Sequence, residues 1–324
     1  MATFTTVQSG SLLDPATFGG SLPTSTDGIE VAHTGCSVPI GTTLTIAGLT
    51  TGTSSTRMPI TLDGELIVTG TIYSRRSNAV NVSASGSLVA NVVDSLSSWE
   101  DATVVNTGGS VAIALINISA NGQPLRGFRQ TAGNATVNQI TMVNNVGNVV
   151  YGVLISGGTV NFSGSVQGGR NNDTFASPHF EVSNGTLNLL ALEVLLSTSV
   201  VRLINQTGGV INFGEMTLHP NTRQDRLIYS AGGTLNFTNA IVNVLSGSLL
   251  EIIKTNGTVN LTNCSINADG DLFFRNVSGS NWITNGFLAN LSSTSSLLSY
   301  NIGNLSSASG SSGLPIGRLI SGGV

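Results

Sequence analysis

The pentapeptide Gly233-Thr234-Leu235-Asn236-Phe237 returns 24 residues later as Gly257-Thr258-Val259-Asn260-Leu261. Both follow the pattern Gly-x-(Val/Leu/Ile)-Asn-(Phe/Leu), which three earlier segments share: Gly158–Phe162, Gly185–Leu189 and Gly209–Phe213. The last four copies are spaced by 24 residues. A fixed period of about 20–50 residues is typical of solenoids, in which each repeat buries its apolar face against its neighbours. The sequence therefore predicts a repeat protein.

Each repeat has the pattern of β-structure. Short apolar runs rich in β-branched residues alternate with Gly, Asn, Ser and Thr, as in strands joined by turns. Two further apolar runs follow each pentapeptide; after Gly209 they are Met216–Leu218 and Leu227–Tyr229. Three strands per turn of about 24 residues predict an all-β fold, a three-sided parallel β-helix of about ten coils.

Apolar residues at the repeat spacing predict the columns of the interior. The main column is expected to comprise Leu66, Leu88, Val111, Val137, Val160, Leu187, Ile211, Leu235, Val259 and Ile283. A second column, Ile204, Ile228 and Ile252, has the same spacing.

The Asn of each pentapeptide forms a third column. Neighbouring side chains on a strand point to opposite faces, so these residues are expected on the outer face. They are Asn161, Asn188, Asn212, Asn236 and Asn260. Stacked amides there can hydrogen-bond as a ladder. We interpret the column first as a structural wall and second as a binding surface.

Charged residues are scarce in this chain, at 9% against about 25% in typical globular domains. The net charge is −4, and the basic residues cluster only as Arg75-Arg76 and Arg223/Arg226, which argues against nucleic acid as a partner. No run of about 18 apolar residues predicts a membrane-spanning helix, so no membrane partner is expected. An uncharged wall favours association, and we expect it to be buried against copies of this chain or another assembly.

Cysteine usage and the N-terminus bear on the compartment. Cys36 and Cys264 are expected to be unbonded, because the solenoid separates them by more than a disulfide spans. Free thiols fit assembly in a reducing cytoplasm. Residues 1–10 have neither a positive start nor an apolar core, so no secretory signal is predicted.

Three acidic pairs are the candidates for glycoside hydrolysis, which needs two carboxyl groups about 5–9.5 Å apart. They are Asp269/Asp271, Asp63/Glu65 and Glu100/Asp101. The positions 24 residues before Asp269 and Asp271 are Leu245 and Gly247, which bring no third acid beside them. We interpret the pairs as solvated turn residues and predict no catalytic residue.

No cofactor or metal site is predicted. Asn171-Asn172-Asp173 could offer oxygen atoms to Ca²⁺, but such a segment is more often a polar turn. His33, His179 and His219 lack the spacing of metal ligands. The recurring phenylalanines are interpreted as packing residues rather than as platforms for sugar rings.

The N-terminal segment carries a distinctive order of turn residues. It contains Asp14-Pro15-Ala16-Thr17-Phe18-Gly19-Gly20, Pro23-Thr24, Asp27-Gly28-Ile29-Glu30-Val31 and Gly41-Thr42-Thr43-Leu44-Thr45-Ile46. This order resembles the opening of β-helical domains on bacteriophage virion proteins, in which an N-terminal turn caps the first coil. We therefore expect residues 1–55 to be a capping and attachment segment, residues 56–290 the parallel β-helix, and residues 291–324 a Ser-rich extension with an apolar tail.

The resemblance implies a virion protein in which three β-helices pack side by side as a homotrimer, assembled in the host cytoplasm. One role that fits is a capsid decoration or cement protein. The other is a tailspike or tail fibre that recognises host surface glycans. We favour non-enzymatic decoration, because paired acids and exposed aromatic platforms are lacking. The expected partners are copies of this chain and phage capsid or tail proteins, with host glycans in the second role.

Overall fold

The computed structural model is all-β, with 68% of residues in strands that form a parallel β-solenoid of about nine turns. It describes residues 2–52, 56, 58–74, 79–95, 102–118, 125–142, 150–168, 178–195, 202–219, 227–276, 280–283, 285, 287–291, 297–300 and 320–321. The solenoid predicted from the repeat is confirmed. The chain divides into two compact units, Met1–Val160 and Asn161–Val324.

Unit 1 consists of short N-terminal strands followed by long ones. They are β1 (Thr3–Thr5), β2 (Gly10–Ser11), β3 (Gly28–Val31), β4 (Cys36–Val38), β5 (Thr43–Ile46), β6 (Gly48–Thr51), β7 (Ile60–Leu62), β8 (Glu65–Ser74), β9 (Val80–Val82), β10 (Ser87–Ser95), β11 (Ala102–Ile118) and β12 (Leu125–Met142), while β13 (Val150–Gly168) contains the boundary. Each pairs in parallel with a strand of a neighbouring coil, as β8 does with β10 and β10 with β11.

Unit 2 begins with long strands and continues with short ones. They are β14 (Phe180–Leu195), β15 (Ile204–Gln206), β16 (Val210–Leu218), β17 (Ile228–Ser230), β18 (Thr234–Asn236), β19 (Ile241–Val244), β20 (Leu249–Lys254), β21 (Thr258–Asn260), β22 (Ser265–Ala268), β23 (Asp271–Asn276), β24 (Asn281–Ile283), β25 (Leu288–Leu291), β26 (Leu297–Tyr300) and β27 (Ile320–Ser321). From β17 onward the strands pair in three parallel series, such as β17–β20–β23.

The N-terminal turn motif forms a short 3-10 helix, Pro15–Phe18. Asp14 caps it by accepting from Ala16 N at 2.9 Å, and Gly19 ends it with a positive φ of 76°. Phe18 packs edge-on against Phe4 of β1, with ring centroids 6.1 Å apart. Strands β4, β5 and β6 of this segment pair with β7 and β8, so the parallel stacking already includes residues before 56.

The main apolar column of unit 1 is buried, with one correction to the expected residues. Leu44, Leu66, Leu88 and Val111 are successive strand partners, and the partner after Val111 is Ala135. The prediction of Val137 at this place was wrong. The column residue follows two positions after a corner glycine, as Ala135 follows Gly133. A search for large apolar side chains passes over an alanine.

The main column of unit 2 runs through Leu187, Ile211, Leu235 and Val259. Its next member is Trp282, so the prediction of Ile283 was wrong. Ile283 instead pairs with Asn260 and is 41% exposed. The coil after Val259 is one residue shorter than the 24-residue period, which shifts every later position.

The second predicted column is confirmed and extended. Ile204, Ile228 and Ile252 are strand partners, with Phe180 before them and Phe274 after them. All five side chains are fully buried. The interior is therefore made of stacked like residues, the arrangement that removes most apolar surface from water when each coil contacts only its neighbours.

The first glycine of the pentapeptide is required by the corner. Gly209 and Gly233 have φ of 68° and 69°, a left-handed conformation that side chains disfavour. A Cβ at Gly233 would collide with the carbonyl oxygen of Gly209 in the preceding coil. The recurrence of glycine in the repeat therefore follows from close backbone approach between coils.

Candidate functional surfaces

The outer face of unit 2 carries a ladder of asparagine amides. Asn188 donates from Nδ2 to Asn161 Oδ1 at 2.8 Å, and Asn212 donates to Asn188 Oδ1 at 2.7 Å. Asn236 donates to Asn212 Oδ1 at 3.1 Å. All four are half-buried. The predicted ladder is thus confirmed from Asn161 to Asn236.

Threonine side chains change the ladder at its C-terminal end. Asn236 Oδ1 accepts from the backbone N of Thr238 at 3.2 Å and from its hydroxyl at 2.5 Å. Asn260 Oδ1 likewise accepts from the Thr262 hydroxyl. A Thr two residues after the Asn therefore turns the amide oxygen towards its own coil. Glycine stands at that place after Asn212.

A second polar feature of unit 2 lies in the interior. Lys254 is fully buried, and its Nζ donates to Ser230 Oγ at 2.6 Å, Gly232 O at 3.0 Å and Gly233 O at 2.9 Å. The Ser230 hydroxyl lies 2.6 Å from Gln206 Oε1 and 2.9 Å from Gly232 O. Gln206 in turn donates from Nε2 to Gly209 O and Thr234 O, both at 3.1 Å. One interior corner is thus lined by polar side chains from three coils.

The Lys254–Ser230 pair has the chemistry of a general base beside a hydroxyl, but substrate has no route to it. Burial lowers the pKa of Lys254 from its ordinary 10.5 to about 8, because the charged form loses its hydration. A neutral amine 2.6 Å from a hydroxyl can accept its proton. Both side chains, however, are 0% exposed. We therefore interpret the pair as structural.

Unit 1 contains a related interior corner. Asn106 donates from Nδ2 to Gly109 O at 3.0 Å and to Gln130 Oε1 at 3.1 Å. Gln130 donates from Nε2 to Ala132 O at 2.6 Å. Both side chains are fully buried. Sequence analysis missed these polar columns, although strand alternation carries the signal: Lys254 is two residues after the inward Ile252 and so faces inward too.

The outer face of unit 1 is uncharged where β8, β10, β11 and β12 lie side by side. Ile67, Val89, Ala112 and Thr136 are strand partners across these coils, and we call this surface the unit 1 wall. It contains a shallow depression of about 400 Å³, whose lining residues are all uncharged. Val89 is 41% exposed at its centre.

The structure places the described acidic pairs in turns and at strand starts. Asp269 is exposed, and its N donates to Val244 O at 2.8 Å. Asp271 is the partner of Leu249, 22 residues earlier, so its expected alignment with Gly247 was wrong because this coil is short. In the other described pair, Glu65 Oε2 accepts from the Thr43 hydroxyl at 3.0 Å. The pair Glu100/Asp101 lies outside the described residues.

Histidines and cysteines are held by local contacts. His33 Nδ1 lies 2.8 Å from Thr6 O, and His179 Nε2 lies 3.5 Å from Gln167 O. Burial lowers the pKa of His179 to about 4. Cys36 and Cys264 are free and buried, and burial raises both thiol pKa values, that of Cys264 to about 11. Such thiols are poor nucleophiles at neutral pH.

Some candidate residues lie outside the described part of the chain. These are Asn171–Asp173, Arg75-Arg76 and Arg223/Arg226. Within the residues that the structure does describe, no group of three or more His, Cys, Asp or Glu side chains could hold a metal ion. In that same part, no helix is long and apolar enough to cross a membrane.

Comparisons with protein-family models, with curated proteins and with solved structures find no match to this chain. The fold and the surfaces described above are therefore the basis for a function.

Proposed function

We propose that this protein is a non-enzymatic structural protein of a bacteriophage virion, a three-sided β-helix that packs as a homotrimer and stabilises the capsid as a decoration protein. The unit 1 wall is the observation that carries the proposal. A solvent-exposed protein surface normally mixes charged residues of both signs, which keeps copies apart. A flat, uncharged sheet face with an exposed valine suits burial against another copy.

The ladder and the interior corners support a structural role. Amides that bond along the stacking direction, and polar side chains that cap backbone carbonyls, add contacts between coils rather than to a ligand. The described groups with the most perturbed pKa values, Lys254 and His179, are fully buried. Catalytic groups with shifted pKa values normally line a cleft. Their burial therefore favours a scaffold over an enzyme.

The alternative, a tail protein that binds host glycans, is favoured by one observation in unit 2. The Arg202 guanidinium lies 4.5 Å from the centroid of the Tyr229 ring, and that of Arg275 lies 5.4 Å from the Phe273 ring. Tyr229 and Phe273 are half-buried on the outward face of β17 and β23. Aromatic rings beside arginines can hold sugar rings and their acidic groups.

The direct test is to label purified virions with an antibody against this protein and to image them. Label spread over the capsid in many copies is the result expected for a decoration protein. Label confined to the tail would replace it with the glycan-binding alternative. Absence of label from virions that contain the intact gene would reject both roles.

A further inference from the structure

Interior amides cap the corner glycines in both units. Gln206 donates to Gly209 O, three residues ahead, at 3.1 Å. Asn106 donates to Gly109 O, also three residues ahead, at 3.0 Å. Gly209 O accepts a second bond from the backbone N of Thr234 at 2.9 Å. A corner carbonyl in unit 2 therefore accepts one strand hydrogen bond and one bond from an interior side chain.

The next coil of unit 2 lacks the amide. Ser230 is the strand partner of Gln206, and the glycine three residues ahead of it is Gly233. Gly233 O accepts its strand bond from Thr258 N at 3.0 Å, as Gly209 O does from Thr234. The serine hydroxyl instead lies against Gly232 O and Gln206 Oε1.

Lys254 supplies the donor that Ser230 does not. It is the strand partner of Ser230 in the following coil, and its Nζ lies 2.9 Å from Gly233 O. The same Nζ bonds Gly232 O and Ser230 Oγ, so the three donors of an ammonium meet three oxygen acceptors. The short serine leaves the space into which the long lysine extends.

No other titratable side chain faces this ammonium from the strands packed beside it. The inward residues of β17, β18, β21 and β23 are Ile228, Ser230, Leu235, Val259, Leu272 and Phe274. The charged neighbours Glu251 and Arg275 occupy the opposite faces of β20 and β23, because they alternate with the inward residues. The corner therefore depends on one ionisable group.

We propose that Lys254 is the corner donor for the preceding coil, replacing across the coil boundary the amide that Ser230 is too short to supply. The stacking of these two coils is then linked to the proton of a single lysine, which is the only lysine of the chain. Lys254 is a positioning residue here, since it acts through the backbone of Gly232 and Gly233.

The test transfers the amide back to its own coil. Lys254→Met removes the donor, and the double variant Ser230→Gln/Lys254→Met places a glutamine where Gln206 stands one coil earlier. We expect the double variant to have a higher Tm at pH 7 than Lys254→Met alone. Ser230→Gln alone should lower Tm, because the glutamine and Lys254 compete for one space. If Ser230→Gln does not fold, the comparison between the other two variants still decides.

A pH series separates this role from simple packing. The folded pKa of Lys254, about 8, lies below its ordinary 10.5, so between these values the unfolded chain binds more protons. The Tm of the wild-type protein should therefore gain a rising component from about pH 8 to pH 10.5, and the double variant should lack it. A Tm of the double variant no higher than that of Lys254→Met would overturn the proposal. So would an unchanged alkaline rise in the double variant.

Discussion

Asn212 donates from Nδ2 to Asn188 Oδ1 at 2.7 Å, and the backbones of the same two residues are strand partners on β16 and β14. The side-chain ladder therefore follows the register of the sheet. Because a one-residue slip would move every Asn to the other face, the amides add a directional penalty to a register that the apolar column already specifies. The column thus reinforces the stacking order of similar coils.

The ladder should contribute measurably to stability at its C-terminal end. Asn236→Leu removes the donor to Asn212 Oδ1 and the acceptor for Thr238 N. We expect the free energy of unfolding to fall by about 1–3 kcal/mol, the usual cost of leaving half-buried polar groups without a partner. Denaturant unfolding followed by circular dichroism measures this change.

Asn205→Leu is the matched control for the ladder. Asn205 is half-buried on β15, and its strand neighbours are Glu181 and Tyr229 rather than other amides. It should therefore cost less than Asn236→Leu. Equal losses in the two variants would mean that the effect comes from replacing any outward Asn by Leu, and the ladder would lose its support.

The repeat made the fold predictable because each column places one kind of residue at one spacing. Errors entered where that spacing changes or where the side chain is small, as with Trp282 and Ala135. Period counting assumes equal coils, whereas the solenoid tolerates coils one or two residues shorter when a corner turn is tightened. Only the backbone pairing reveals which corner has lost a residue.

The interior polar corners were harder to infer than the apolar columns. Lys254 has no neighbour in sequence that indicates its partners, because Ser230 and Gly233 are one coil away. Alternation predicts that a lysine two residues after Ile252 faces inward, yet a charged residue is normally assigned to the surface. The conflict between these two rules was itself the signal of an interior role.

The unit 1 wall should be the assembly surface if the protein is a homotrimer. Val89→Lys places a charge at the centre of this uncharged face, and burying an unpaired ammonium against another copy is costly. We expect the variant to sediment as a monomer in analytical ultracentrifugation, while circular dichroism remains that of the folded chain.

Thr61→Lys is the control for the wall, since Thr61 is exposed on β7, whose strand partners are β4 and β9. It should leave the oligomer intact. A wild-type protein that sediments as a monomer would contradict the trimer itself. A trimer that survives Val89→Lys would move the interface away from the unit 1 wall.

The acidic pair Asp269/Asp271 tests the non-enzymatic role. Replacing both by Asn keeps their size and removes both carboxylates, which glycoside hydrolysis requires. We expect the biological activity of the protein, such as capsid stabilisation, to be unchanged. The measurement includes incubation of wild-type and variant with host surface polysaccharide, followed by sizing of the products. Cleavage by the wild type that the double variant loses would show that the protein is an enzyme.

His179 should make unit 2 sensitive to acid. Its side chain is fully buried, and Nδ1 has no hydrogen-bond partner among the described residues. Burial lowers its pKa from the ordinary 6.5 to about 4, so between these values the unfolded chain binds more protons than the folded one. The stability contributed by the neutral imidazole is therefore present above about pH 6.5 and declines as the pH falls to about 4.

His179→Gln removes this titration while keeping a polar side chain at the site. The Tm of the wild-type protein should drop more steeply between pH 6.5 and pH 4 than that of the variant, whatever their difference at pH 7. Differential scanning calorimetry across this range measures both slopes. Parallel curves would mean that the imidazole gains a proton without cost in the folded state, which is possible only if Nδ1 finds an acceptor or water reaches it.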